Sequence, residues 1–237
     1  MVAERIEYIV ISLKNVDKIY AGDTVGVENA SFDINDGEFV FLVGKSGSGK
    51  STILRLITGE IKPTQGDILV YNLSLNDMSR KELPYYRRML GIIDKNIALL
   101  DNKTIYKNLE LAMIAVNQSS KIIKDSIPRA LGLVGMTKKM HEYPSTLSEG
   151  EKLKILMARA VVNNPQVIIA DEPTANLDYE TAYDIMCLFN DINRLGITVI
   201  IATHAQEFVN VMKKRVITMS YGRVLGDVNK GKYGRII

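Results

Sequence analysis

Residues 44–51 read GKSGSGKS. They stand between an apolar run, EFVFLVG at 38–44, and a helical pattern, STILRLITGE. A strand that turns on glycines straight into a helix admits few folds. Glycines let the backbone curl so that successive N–H groups point inward at one anion. The helix start adds its partial positive charge. In this setting the spacing G-x-x-x-x-G-K-S predicts that Gly44, Lys45, Ser46, Gly47, Ser48 and Gly49 cradle a nucleotide's phosphates. Lys50 is then placed to reach the β- and γ-phosphates, and the Ser51 hydroxyl to ligate Mg²⁺.

Two more apolar runs, QVIIAD at 166–171 and ITVIIAT at 197–203, predict buried strands. RVITMS (215–220) and GRVLGDV (222–228) predict strands joined by a Tyr-Gly turn. LDYETAYDIMCLFNDINRLG (177–196) has helical spacing, with Gly196 as its stop. Near-continuous apolar strands alternating with helices indicate an α/β fold, a mainly parallel sheet covered on both faces. Ahead of it, IVISLKNVDKIY and VENASFDIND alternate in the β manner and predict an antiparallel sheet beside the core. From about residue 96 to residue 162 strand signals vanish, and Ile105, Leu109, Met113 and Val116 share one helical face. Pro128 is expected near a kink or a new start. The stretch at approximately 96–162 thus reads as a helical insertion into the α/β body, in a chain of 237 residues long enough for one large domain or two small ones.

The acidic pair in VIIADE (167–172) supplies what a phosphate loop needs opposite it. Asp171, at a strand's C-terminal end, is placed to hold the magnesium, and Glu172 to polarise an attacking water. His204 ends another buried strand, whose tip is expected to face the same γ-phosphate. Tyr20 precedes the loop, and its ring is a candidate to stack on the base. Stacking alone would not select adenine.

Composition excludes several alternatives. Hydrophobic residues make up 46% and charged residues 24%, and the net charge of +3 gives no strong field for nucleic acid. The short basic clusters KKR (213–215) and KGKYGR (230–235) read as solvated surface; any role for the tail would lie near anionic lipid or a partner. One cysteine, Cys187, allows no disulfide framework and is expected to be buried in its helix. The N-terminus lacks the apolar core and cleavage site of a signal peptide, and no apolar run approaches the roughly 20 residues of a membrane span. The expectation is a cytoplasmic protein that reaches the membrane through a partner.

In order, Tyr20, GKSGSGKST (44–52, adding Thr52), LSEGE (147–151), VIIADE (167–172), ANLD (175–178) and the histidine of ATH (202–204) resemble an ABC-type ATP-binding domain over essentially the whole chain. YYRRMLGIIDKNIALLDNKTIYKNL, ARAVVNNPQVIIADEPTANLD and the ending KGKYGRII are similar to the bacterial cell-division ATPases of the FtsE family. ATPases of lipoprotein and macrolide exporters share much of this pattern. The resemblance implies a P-loop NTPase fold with an antiparallel β subdomain and an inserted helical subdomain, peripheral on the inner face of the cell membrane. It implies a head-to-tail homodimer, with each ATP between one phosphate loop and the other chain's signature, Ser148, Glu149 and Gly150. Asp178 would align the two sites. The membrane-spanning partner would be an FtsX-like permease.

Two positions depart from the family pattern. Lys95 falls where the family carries a glutamine that meets Mg²⁺, and an ammonium cannot ligate a cation. Glu149 replaces the signature's first glycine and brings a carboxylate toward a phosphate. Two unit charges at about 4 Å interact by roughly 4 kcal/mol at an effective dielectric near 20. Lys95 of one chain could neutralise Glu149 of the other. Two functional readings compete: an ATP hydrolase that drives or gates its membrane partner, and a nucleotide-gated scaffold that turns over little.

Overall fold

The computed structural model describes residues 8–94 and 98–233. The strands are β1 (Ile9–Tyr20), β2 (Thr24–Asn35), β3 (Phe39–Val43), β4 (Gln65–Val70), β5 (Leu73–Ser74), β6 (Leu90–Ile93), β7 (Val167–Asp171), β8 (Thr198–Thr203), β9 (Arg215–Ser220) and β10 (Arg223–Val228). The helices are α1 (Lys50–Ile57), α2 (Leu83–Arg87), α3 (Ile105–Ile114), α4 (Ser120–Leu133), α5 (Glu149–Val161), α6 (Tyr179–Arg194) and α7 (Gln206–Met212). Among the described residues the strands form two sheets, an antiparallel one ordered β2-β1-β4-β5 and a larger one ordered β10-β9-β3-β8-β7-β6. All neighbours in the larger sheet pair in parallel except β9 and β10.

The pleat explains why the central strands carry no polar alternation. Phe39, Phe41 and Val43 of β3 point into one core, with Ile168 and Ala170 of β7 and Val199 and Ile201 of β8; α3 to α6 cover that face. Val40, Leu42, Val167, Ile169, Ile200 and Ala202 point into a second core, closed by α1 and the inner face of β1 and β2. Successive side chains of a strand face opposite sides, so a sheet covered twice must be apolar at every position. A parallel sheet also sets its strand ends side by side. The C-terminal ends of β3, β7 and β8 carry Gly44, Asp171–Glu172 and His204.

Several expectations change. Cys187 is exposed, not buried. Ala182, Ile185, Met186, Phe189 and Ile192 form the inner stripe of α6, and helical periodicity turns position 187 away from it. Pro128 begins no new helix, because α4 runs through it with Ile123, Ile127, Ala130 and Leu131 buried on both sides. Val116 lies beyond the end of α3, while Ile105, Leu109 and Met113 are buried. Strands β4 and β6 carry no strong sequence signal. Each is short and pairs with longer strands that impose its conformation. No described helix is long and apolar enough to cross a membrane.

Candidate nucleotide site

The chain leaves β3 at Gly44 and enters α1 at Lys50. Gly44, Gly47 and Gly49 have φ of 151°, 77° and 103°, a region that L side chains resist. Space is closed as well: a Cβ on Gly44 would stand 2.3 Å from the Met219 carbonyl oxygen, and one on Gly49 2.6 Å from that of Gly26. The underside of the loop is stapled from afar. The N–H of Gly222, in the β9–β10 turn, donates to the Ser48 carbonyl at 3.1 Å, and the Gly222 carbonyl accepts from Glu28 at 2.9 Å. Sequence reading found that turn but not its hold on the loop.

Lys50 is buried, and its ammonium donates to the Gly44 carbonyl at 2.8 Å and to that of Lys45 at 3.3 Å. Its Nζ is 3.8 Å from Glu172 Oε1. Glu172 continues the β7 edge by one bond, its N–H donating to the Ala202 carbonyl at 2.8 Å. It then turns with φ of 47°, although a residue before proline normally stays extended. Such a backbone costs on the order of 1 kcal/mol and is characteristic of working sites. The neighbouring strand holds the carboxylate in place: the His204 N–H donates to Oε2 at 3.2 Å, and His204 Nδ1 sits 2.9 Å from Oε1.

Asp171 lies beside Ser51. Burial raises its pKa, against a hydrogen bond from Ser51 that lowers it, and the Glu172 and Asp94 carboxylates raise it further. Its Oδ1 is buried without a hydrogen-bond partner. A carboxylate so placed suits a hydrated divalent cation, which would supply the missing positive charge and donors. The Ser51 hydroxyl is the second candidate ligand.

Tyr20 reaches over the loop's helix, its hydroxyl 3.2 Å from Thr52 Oγ1. One cleft of about 710 Å³ is lined by Tyr20, the loop from Lys45 to Thr52, Asp171, Glu172, His204 and Tyr233. Tyr233 belongs to a tail read from sequence as solvated surface, and nothing in the spacing of that tail marks it.

Ser148, Glu149, Gly150 and Asp178 do not line this cleft. They form a second feature at the adjoining starts of two helices. Ser148 and Glu151 cap α5 reciprocally: Ser148 Oγ accepts from the Glu151 N–H at 3.3 Å, and Glu151 Oε2 from the Ser148 N–H at 2.9 Å. Asp178 caps α6, accepting from the Thr181 N–H at 2.9 Å, and that bond lowers its pKa. A Cβ on Gly150 would stand 2.4 Å from Thr181 Cγ2, so a side chain there would have to displace Thr181. Glu149 meets no such wall. Its side chain is 76% exposed, and it accepts from Lys152 Nζ at 2.7 Å.

The ABC transporter family model matches residues 27–175, more than half of the chain. The chain belongs to the ABC transporter family. Cell division ATP-binding protein FtsE of Bacillus subtilis is 40% identical to this ABC chain over 94% of it and 98% of the relative. FtsE of Escherichia coli K12 is 37% identical over 92% of the chain and 98% of the relative. Among solved structures, the dimeric post-hydrolysis state of the ATP-binding cassette MJ0796, bound to ADP and Pi, superimposes with a TM-score of 0.83 at 31% identity. That match covers 94% of this chain and 100% of the other. CbiO1 of Clostridium perfringens, part of an ABC transporter complex, gives 0.87 at 30% identity, covering 94% and 89%. The fold is therefore that of an ABC ATP-binding cassette. Lys95, the family departure at the lid, lies outside the described residues, so its pairing with Glu149 has no geometry here. Among the described residues, Glu149 of the ABC signature pairs with Lys152 of the same helix.

Proposed function

We propose that the chain is the ATP-binding and ATP-hydrolysing subunit of an FtsE-type cell-division complex, closing as a homodimer around ATP and driving or gating an FtsX-like membrane partner. The observation that carries the reading is Glu172, fixed between Lys50 and His204 at the mouth of the phosphate loop. Similarity to FtsE over nearly the full chain supports the choice of complex. The helical insertion at about 96–162 is part of this proposal, as is a peripheral position on the inner face of the membrane.

In this reading the phosphate loop binds the polyphosphate through its N–H groups and Lys50. Ser51 and Asp171 would hold Mg²⁺, which would neutralise phosphate charge. Tyr20 stacks on the base. Glu172 accepts a proton from the attacking water, and His204 keeps that carboxylate aimed. Ser148 and Gly150 of the other protomer face the γ-phosphate from α5's start, and Asp178 aligns the interface. The intact Glu172 geometry favours hydrolysis over a scaffold that binds without turnover. Magnesium-dependent phosphate release from ATP, by the purified chain alone and together with an FtsX-like membrane protein, tests the proposal. No release above the Glu172→Gln background in either setting would sink it.

Glu149 sets the strength of closure. In one chain its pair with Lys152 is an exposed i,i+3 contact, contributing about 0.2–0.5 kcal/mol. Facing a phosphate across an interface, its charge costs about 1 kcal/mol at 4 Å in a water-like dielectric, and more as water leaves. Lys152 offsets part of this. Glu149→Gly is expected to tighten ATP-driven dimerisation at least about fivefold, and Lys152→Ala to weaken it by a similar factor. Sedimentation in the Glu172→Gln background measures both. Unchanged dimer affinity in both variants would rule out the charge argument.

A further inference from the structure

After β10 the chain does not drift into solvent. Lys230 takes a left-handed conformation with φ of 55° and reverses the direction. Gly231 is buried, its N–H donating to the Lys214 carbonyl at 3.0 Å. A Cβ on it would meet Val216 Cβ at 2.8 Å, so the tail lies flat against β9. Two residues on, the Tyr233 N–H donates to Asn210 Oδ1 on α7 at 3.0 Å. The chain is thus pinned at two backbone N–H groups, at Gly231 and at Tyr233 itself, where the side chain of Tyr233 leaves it.

That side chain enters the nucleotide cleft. The Tyr233 ring packs against the core under the sheet and lines the same cleft as the phosphate loop, Glu172 and His204. Its hydroxyl lies beside the Gly44 N–H and within the field of the Glu172 carboxylate. Burial, then that carboxylate, raises the phenol's pKa above the ordinary tyrosine value. The group therefore stays a neutral hydroxyl, able both to accept from an N–H and to donate. The Gly44 carbonyl is held by Lys50, and the Tyr233 side chain lines the cleft that Lys50 shares.

We infer that Tyr233 is a positioning residue of the nucleotide site: the pinned tail lays its phenol against the phosphate loop's first glycine, holding that peptide and screening Glu172 from bulk water. A loop that must present several N–H groups to one phosphate works only if its peptides are already oriented. The ring supplies cover, and the hydroxyl supplies orientation. The two contributions separate by mutation. The inference rests on the ATPase reading for its catalytic consequence, but not for its structural one.

The test compares wild type, Tyr233→Phe and Tyr233→Ala in the full chain with two readouts. One is amide hydrogen exchange across residues 44–51, with β7 and β8 as internal reference. The other is the split between kcat and KM for MgATP hydrolysis. Losing the hydroxyl alone should speed loop exchange and lower kcat by about fivefold each, the scale of one hydrogen bond, with KM within about twofold. Losing the ring should do more. Wild-type loop exchange in Tyr233→Phe overturns the proposal, because packing alone would then explain the ring. Faster exchange with unchanged kcat overturns it too. If wild type hydrolyses no faster than Glu172→Gln, the ATPase reading falls, and the exchange measurement still decides Tyr233.

Discussion

Glu172→Gln should leave MgATP binding intact and slow phosphate release by on the order of 10²- to 10⁴-fold, the usual contribution of a positioned general base. The substitution is nearly isosteric. The amide oxygen can still accept from the His204 N–H, now 3.2 Å from Oε2, and the backbone bond to Ala202 is untouched. What disappears is the basic carboxylate. Its negative charge beside the γ-phosphate disappears as well, so affinity for ATP should hold or rise. Single-turnover phosphate release, with equilibrium binding on the same preparation, reads both quantities. Equal release rates for variant and wild type would remove Glu172 from the chemistry, and weaker binding would contradict the charge argument.

Lys50→Ala should do the opposite and abolish tight binding. The Lys50 side chain is 6% exposed, and the fold has already oriented its ammonium by bonds to Gly44 and Lys45. Hydrogen bonds to charged groups contribute about 1.5–3 kcal/mol, which corresponds to a rise in Kd for MgATP of about 10- to 150-fold. The loss to folding should be smaller, about 1 kcal/mol for the Gly44 carbonyl left without its donor. Fluorescent-nucleotide titration together with a thermal melt separates the two effects. Affinity within threefold of wild type would mean that the loop's N–H groups do the binding without their lysine. Taken together, the two variants divide the site: one binds and does not turn over, the other does not bind.

Much of this site was legible because its chemistry is local. GKSGSGKS between an apolar run and a helix specifies a curl of backbone within eight residues, and the structure supplies its positive φ angles at Gly44, Gly47 and Gly49. Asp171, Glu172 and His204 could be placed beside the loop because apolar runs at 166–171 and 197–203 implied parallel neighbours. Cys187 was misread because a residue type's average burial was weighed above the stripe of its own helix. Strands β4 and β6 were missed because their neighbours, not their own residues, hold them extended.

By itself, then, the sequence determined a glycine-rich curl of backbone between strand and helix, a doubly covered parallel sheet and an acidic pair at its edge. Each follows from contacts within one turn of helix or one pleat of strand, where spacing is geometry. Only the tertiary structure decided which way Glu172 turns, that Thr181 crowds a side chain at Gly150 while solvent permits one at Glu149, and that Gly222 braces, and Tyr233 lines the cleft of, a loop nearly two hundred residues earlier. The last of these contacts depend on how β9 pairs with β3 and carries β10 and the tail with it. Loop closure over such separations depends only weakly on the residues in between, and so no spacing in the sequence records it.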